Sequence, residues 1–462
     1  MNNVVAEFYR CPNTLVALSP PRRLNPQSGY FRFGPELVCY GHSTFSTPHA
    51  LDDQDIQDLS QYVGFGGESL ELPFEPREVI DNLRYERYPT ETSASMNALL
   101  ASGIARRAYY GFRPLLHRPF RSRLQRLFFR KWETLRFPRW PVDTSVEQLL
   151  EKLLLLSMKA RMLDRIPFIW FWPDGAEAAA MVTHDVETAK GVGFVSRLID
   201  VDDEFGIKSS FQIVPEERYP VSRTLLDAIR QRGCEVNVHS LNHDGNLFQD
   251  RKTFLNQLGR INHYVEEFGS DGFRSASMYR NVEWLQELNV AYDMSVPSVA
   301  HLEPQRGGCC TVFPYFIGSI LELPLTTIQD YSLFHILGDY SIELWKKQMG
   351  LIAEKHGLIS FIVHPDYIMH ERSLPVYRDL LAYLSGQRRE NNLWIARPGE
   401  VDRWWRERNA MTLVEQPGGW RIEGPGRARA RMAFACREGD RIVYQVEPGP
   451  ETVSSNRCAS VL

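Results

Sequence analysis

The chain has 462 residues, 43% of them hydrophobic and 12% aromatic, enough for a large core and too long for one compact unit, so two or three domains are expected. A formal charge of -4 is small for this size and gives the whole molecule no electrostatic case for nucleic acid or another acidic polymer. Seven scattered cysteines fit a reducing compartment, and the adjacent Cys309 and Cys310 read as loop residues before a redox pair or soft-metal site. Residues 1–10 lack the basic start and apolar core of a secretory signal, and the richest apolar run, 149–156, carries Glu151 and Lys152. A soluble cytoplasmic protein is therefore the expectation.

In chain order, residues 1–175 open with β-like pieces at 30–33 and 36–40 and then turn helical, an α+β region of no evident role. Within it, 106–139 is basic and aromatic, with Arg113, Arg118, Arg121, Arg123, Arg126, Arg130 and Lys131 against the single acid Glu133. The plain reading is a solvated helical face packing its Leu and Phe on the next domain. The alternatives are contact with nucleic acid, a phosphorylated carrier lipid or an anionic membrane surface.

From 176 to 408 short β-type runs alternate with helical periods. The runs lie at 180–187, 210–214, 234–238, 272–274, 290–296, 320–325, 358–363 and 393–396, and helices are expected over 194–205, 224–232, 252–268, 282–288, 342–356 and 376–384. Seven or eight such repeats predict a parallel sheet, most simply a (β/α) barrel, with its chemistry at the C-terminal ends of the strands. Residues 409–462 become short β candidates between Pro-Gly and Gly-Asp turns, a small antiparallel appendage.

Three of the barrel runs end in polar residues: Asp185 and Glu187 on the first, His239 and His243 on the third, and His364 on the run at 358–363. A divalent metal used as a Lewis acid needs a few fixed ligands and an open position, which two histidines and one carboxylate provide. His239 and His243 supply the imidazoles and either Asp185 or Glu187 the carboxylate. On its own a His-x-x-x-His spacing also fits a helix face with two incidental histidines, but this pair follows a strand and precedes the turn signal Asp244-Gly245. A zincin protease needs Glu directly after the first histidine, where this chain has Ser240. Iron oxygenases share the ligand set, yet nothing in the sequence suggests an oxidative cofactor.

These residues resemble the motifs of the polysaccharide deacetylase family, carbohydrate esterase family 4 or NodB-homology proteins, in the family's order and across about half of the chain. Thr183-His184-Asp185-Val186-Glu187 is similar to the first motif, Thr-x-Asp-Asp. The resemblance implies Asp185 as catalytic base, with Glu187 as the carboxylate ligand in place of the acid that Val186 replaces. His239-Ser240-Leu241-Asn242-His243 matches the second motif and implies two metal ligands. Arg274, in Phe273-Arg274-Ser275-Ala276, is similar to the arginine that pairs with the catalytic Asp, although Ala276 stands where the family has Pro. Asp293 resembles the aspartate that tunes the catalytic histidine, without the customary Trp, and His364 resembles that histidine.

The resemblance implies a distorted (β/α)7-8 barrel over 176–408 that hydrolyses an N- or O-acetyl group on a glycan or glycan precursor. A divalent metal, zinc first, would serve Asp185 as base and His364 as acid. The expected partner is a carbohydrate or sugar-linked carrier, not nucleic acid, with carrier-lipid or peripheral membrane contact through 106–139. Two other readings stand beside it: hydrolysis of a small cyclic amide on the same fold, and an inactive glycan-binding barrel in a biosynthetic complex.

Overall fold

The computed structural model describes residues 3–19, 21, 23–45, 56–67, 69–90 and 132–448. Most of the basic segment, 106–131, therefore lies outside the described residues.

The barrel sheet has nine strands: β1 (Ala178–Val186), β2 (Ser210–Ile213), β3 (Glu235–His239), β4 (Gly272–Arg274), β5 (Tyr292–Asp293), β6 (Tyr315–Ile317), β7 (Ile320–Glu322), β8 (Leu358–Ile362) and β9 (Leu393–Ile395). Their spatial order is β6-β7-β5-β4-β3-β2-β1-β8, with β9 beside the start of β1. All neighbours are parallel except β6, which runs antiparallel to β7. The long β1 is the hub: β9 pairs its first residues and β2 its last ones along one edge, and β8 lies along the other. All nine residues of β1 are buried, as a strand covered on both faces requires.

The connecting helices are α1 (Ala189–Glu204), α2 (Arg223–Gln231), α3 (Arg251–Phe268), α4 (Glu343–Ala353), α5 (Ser373–Glu390) and α6 (Pro398–Ala410). Their starts carry the expected chemistry, since Thr188, Ser222 and Asp250 each accept from backbone amides of the first turn of α1, α2 and α3. Gly269, at φ 55°, ends α3 in the left-handed conformation that glycine takes most readily.

The sheet does not close by a strand ladder between β8 and the segment after β7. Threonine hydroxyls bridge the gap: Thr326 Oγ1 donates to Leu358 O at 2.7 Å and accepts from Ser360 N at 2.9 Å, and Thr327 Oγ1 donates to Ser360 O at 2.7 Å. The result is a distorted barrel of the expected class. The sequence reading overlooked β6, a π-helical turn at Ser332–Leu337 and helix α6, and it drew the run at 290–296 too long: β5 is two residues. Around β6 the chain is bent by loops that no period announces.

The flanking regions pack on this barrel. In the N-terminal part a hairpin pairs Gly29–Arg32 with Val38–Gly41, and helices span Val4–Tyr9, Pro76–Arg84 and Ser145–Ala160. Glu86 accepts from Arg280 Nε at 2.6 Å, tying this region to the loop that follows β4. At the other end, Met432–Glu438 pairs with Arg441–Val446 and also with Arg165–Ile169, a strand from ahead of the barrel. One hydrophobic cluster runs from Val4 and Phe31 through Leu153, Val182 and Leu380 to Ala435. Cys309 and Cys310 are buried free thiols, each held well above the ordinary thiol range by burial, which leaves them unreactive. Among the described residues no helix is long and apolar enough to cross a membrane.

Candidate functional site

Side chains alternate along a strand, so Thr183, Asp185 and Glu187 emerge on one side of β1 and its end, and His184 and Val186 on the other. This alternation accounts for the spacing of the two acids: with one residue between them, both carboxylates reach the same space, and Val186 fills the core behind. Tyr219 OH donates to Val186 O and Arg218 Nε to Glu187 O at 3.1 Å, which fixes the chain where it leaves the strand.

His239 is the last residue of β3, and His243 sits in the loop beyond it, not on a helix. Ser240 and His243 both have φ 56°, a left-handed conformation that costs non-glycine residues of order 1–3 kcal/mol and that gathers at functional sites. The turn brings the two imidazoles to a centroid separation of 4.8 Å. His239 Nδ1 donates to Arg274 O at 3.1 Å, so its Nε2 carries the lone pair, and that buried atom has no hydrogen-bond partner among the described residues. Among the described residues neither ring nitrogen of the buried His243 has a hydrogen-bond partner, although Nε2 lies 2.9 Å from Glu187 Oε1, out of line for one.

Ligand atoms of Glu187, His239 and His243 all fall within 4.8 Å of one another. Burial, only partly offset by Asp185, pulls His239 down to about 4, so it is a neutral donor at pH 7. Burial raises the Glu187 carboxyl, but His243 and His364 outweigh it and hold the group well below its ordinary value. Buried lone pairs converging without hydrogen-bond partners fit a divalent cation of the kind two histidines and a carboxylate hold.

Next to this set, the fully buried Arg274 donates from Nη1 to Asp185 Oδ1 and to Thr183 Oγ1, each at 2.7 Å, and from Nε to Met294 O at 3.0 Å. Burial would raise the Asp185 carboxyl, yet Arg274, His239 and His364 together lower it below its usual value. Its other oxygen, Oδ2, lies 3.7 Å from His239 Nε2.

His364 follows β8. Its Nδ1 donates to Asp330 Oδ1 at 2.6 Å and its backbone N to Asp330 Oδ2 at 2.8 Å, while Nε2 is 3.5 Å from Glu187 Oε1. Burial pulls this imidazole down, but Asp330 first and then Glu187 carry it well above the ordinary value, so it is a cation at neutral pH.

The expectation that Asp293 sustains this charge is corrected: the carboxylate on His364 is Asp330. Asp293, at the end of β5, accepts instead from Ser295 N at 3.0 Å and Ser295 Oγ at 2.7 Å. It interacts with the buried Glu322, and both carboxyls are pushed up, first by burial. Sequence reasoning missed Asp330 because it lies before the π-helical turn, outside any β-run, and no fixed spacing ties it to His364.

No family model and no curated protein matches the sequence. Among solved structures, the chain is similar to a Mycobacterium smegmatis protein assigned as a polysaccharide deacetylase, at 19% identity and a TM-score of 0.44 over 54% of this chain and 96% of that one. It is also similar to the peptidoglycan deacetylase PdaC from Bacillus subtilis, at 12% identity and a TM-score of 0.34 over 50% and 94%. The PuuE allantoinase gives 16% and 0.38 over 51% and 92%. In structure the chain is thus similar, over about half of its length, to polysaccharide deacetylases and an allantoinase.

Proposed function

We propose that the protein is a metal-dependent hydrolase that removes an acetyl group from the nitrogen, or an oxygen, of a sugar or sugar-linked precursor. The observation that carries this reading is the joining, in one buried cluster, of three complementary parts. Glu187, His239 and His243 converge on each other with the buried His239 Nε2 and both His243 ring nitrogens left without a hydrogen-bond partner among the described residues, Asp185 is an anion clamped by Arg274, and His364 is a cation clamped by Asp330.

An acetamide is an unreactive amide, so its hydrolysis needs a proton acceptor for the attacking water and a proton donor for the departing amine. A divalent metal on Glu187, His239 and His243, zinc in the first instance, supplies Lewis acidity that polarises the acyl carbonyl and eases ionisation of water. Asp185 takes the proton of the water that adds to the carbonyl carbon, and Arg274 keeps it anionic and aimed. As the carbon–nitrogen bond breaks, His364 gives its Nε2 proton to the amine, and acetate leaves. Asp330 on Nδ1 fixes the ring so that Nε2 is the nitrogen facing the site.

The choice of a sugar rests on the resemblance of the five motifs. A cyclic amide would use the same acceptor and donor, and an inactive barrel would bind glycan without turnover. The separating experiment measures metal content and acetate release over a panel of N- and O-acetylated sugars, with cyclic amides and ureides alongside. Acetate release abolished by His239→Ala supports the proposal; turnover of cyclic amides alone, or glycan binding without any turnover, contradicts it. A phosphate-bearing carrier on the substrate would suit the basic segment 106–139. Reversing Arg121 and Arg123 to Glu is then expected to cut turnover of a lipid-linked sugar while sparing the free sugar, and equal turnover of both would refute that contact.

A further inference from the structure

The fully buried His184 lies between Thr183 and Asp185 but on the opposite side of β1, away from the proposed metal ligands. Its Nδ1 lies 3.1 Å from Val363 O, an atom that can only accept, so this nitrogen carries the hydrogen. Its Nε2 lies 3.0 Å from Asp202 Oδ2, on α1. Asp202 is itself fixed: it accepts from Ser209 Oγ at 2.6 Å and, from α5, from Tyr377 OH at 2.5 Å.

The ladder between β1 and β8 ends at the pair Thr183 and Ile362. Beyond it, Val363 is gripped twice by consecutive residues of β1: its N donates to Thr183 O at 2.9 Å, and its O accepts from His184 Nδ1. Val363 directly precedes His364, and His184 directly precedes Asp185. The two groups that exchange protons with the substrate in the proposed reaction are therefore tied to each other, through the backbone, by one imidazole.

We propose that His184, oriented by Asp202, is a positioning residue that holds the end of β1, with Asp185 and Glu187, in register with the end of β8, with His364. This rests on the hydrolase reading for what the two ends do, but not for the brace itself. An apolar residue of similar size would fill the space and leave Val363 with only its bond to Thr183. A misplacement of about 1 Å in an active site costs about a hundredfold in rate.

In the full chain, His184→Phe is expected to lower kcat by about a hundredfold while KM changes little. Metal affinity, titrated with Zn2+ alone, should fall by about tenfold, the low end of what disturbing the groups that orient a ligand costs, since Glu187 follows the strand end that His184 braces. Asp202→Asn, whose amide still bonds Nε2, is expected to keep kcat near wild type, whereas Asp202→Ala should behave as His184→Phe does. A role in stability alone would lower Tm in the variants and leave kcat of the folded protein unchanged, and that result overturns the proposal. If His184→Phe does not fold, Tyr377→Phe removes one of the two hydroxyls that hold Asp202, and is expected to lower kcat severalfold; an unchanged kcat overturns the proposal. If the wild type turns over no acetylated sugar, the hydrolase reading falls by itself and Zn2+ affinity decides the brace: equal affinity in wild type and folded His184→Phe overturns it.

Discussion

Asp330 shows how much of a catalytic residue's behaviour comes from one neighbour. Burial alone would keep His364 neutral, yet a carboxylate at 2.6 Å from Nδ1 reverses the balance and raises the imidazole well above its ordinary value. The sign of the consequence follows directly. The acid form of His364 is present below the raised value and lost as pH climbs through it, so Asp330→Asn moves that loss, and the alkaline limb of the kcat profile, to lower pH. Turnover should also drop by about a hundredfold, the lower range for removing effective general acid catalysis, while the metal is retained; an alkaline limb in the same place would contradict the assignment. Asp185→Asn should lose a factor of about 10² to 10⁴ in kcat and likewise keep the metal. At this scale the sequence was informative wherever strand alternation applies. Asp185 and Glu187 are legible as partners because a period of two puts both on one side of β1, and His239 and His243 because a turn follows a strand. Asp330 was not legible, since its approach to His364 is a matter of how a loop crosses the barrel face.

The elements show what the period can and cannot reveal. The helices between 189 and 268 and the strands β1 to β4 follow their hydrophobic patterns, although the first helix starts at Ala189, behind its Thr188 cap, and not at 194. The side of the barrel between β5 and β8 does not, because a two-residue strand, an antiparallel β6 and closure by Thr326 and Thr327 hydroxyls have no repeating signature. Thr326→Val leaves Leu358 O and Ser360 N without their side-chain partner and should cost about 1–3 kcal/mol, read as a shift in denaturation midpoint with an unchanged slope. On the same side, the Glu322 carboxyl is raised well above its ordinary value, by burial and then by Asp293. A raised folded value means that this group's contribution to stability is complete below the ordinary glutamate pKa and is lost as pH rises through the folded value. Glu322→Gln should therefore flatten the fall in stability between mildly acidic and neutral pH, and an identical pH profile for variant and wild type would rule that out.

Across the whole molecule, the region ahead of the barrel is joined to the barrel's last helix through Arg408, near the end of α6. Among the described residues its buried guanidinium has no carboxylate partner; it donates instead to Phe8 O, Tyr9 O, Ile169 O and Trp170 O at 3.0, 3.3, 2.7 and 2.9 Å. Burial draws this arginine down to about 9, a sign of how little solvent reaches it. Arg408→Met would orphan these carbonyls and is expected to destabilise the protein by more than about 3 kcal/mol, and chemical denaturation that shows less than 1 kcal/mol would contradict the tether. The pairing of Arg165–Ile169 with Met432–Glu438 joins segments far apart in the chain. Local composition marks each as β-like or fails to mark it, but it does not say which strands meet.

The central claim is that Glu187, His239 and His243 hold a divalent metal on which acyl hydrolysis depends, and it is tested most directly by elemental analysis and acetate release on the same purified samples. Wild type should carry one tightly held divalent ion per chain, as the single ligand group among the described residues implies, and should release acetate from an N-acetylated sugar. His239→Ala should lose both together. A folded His239→Ala protein that turns over at the wild-type rate would contradict the account.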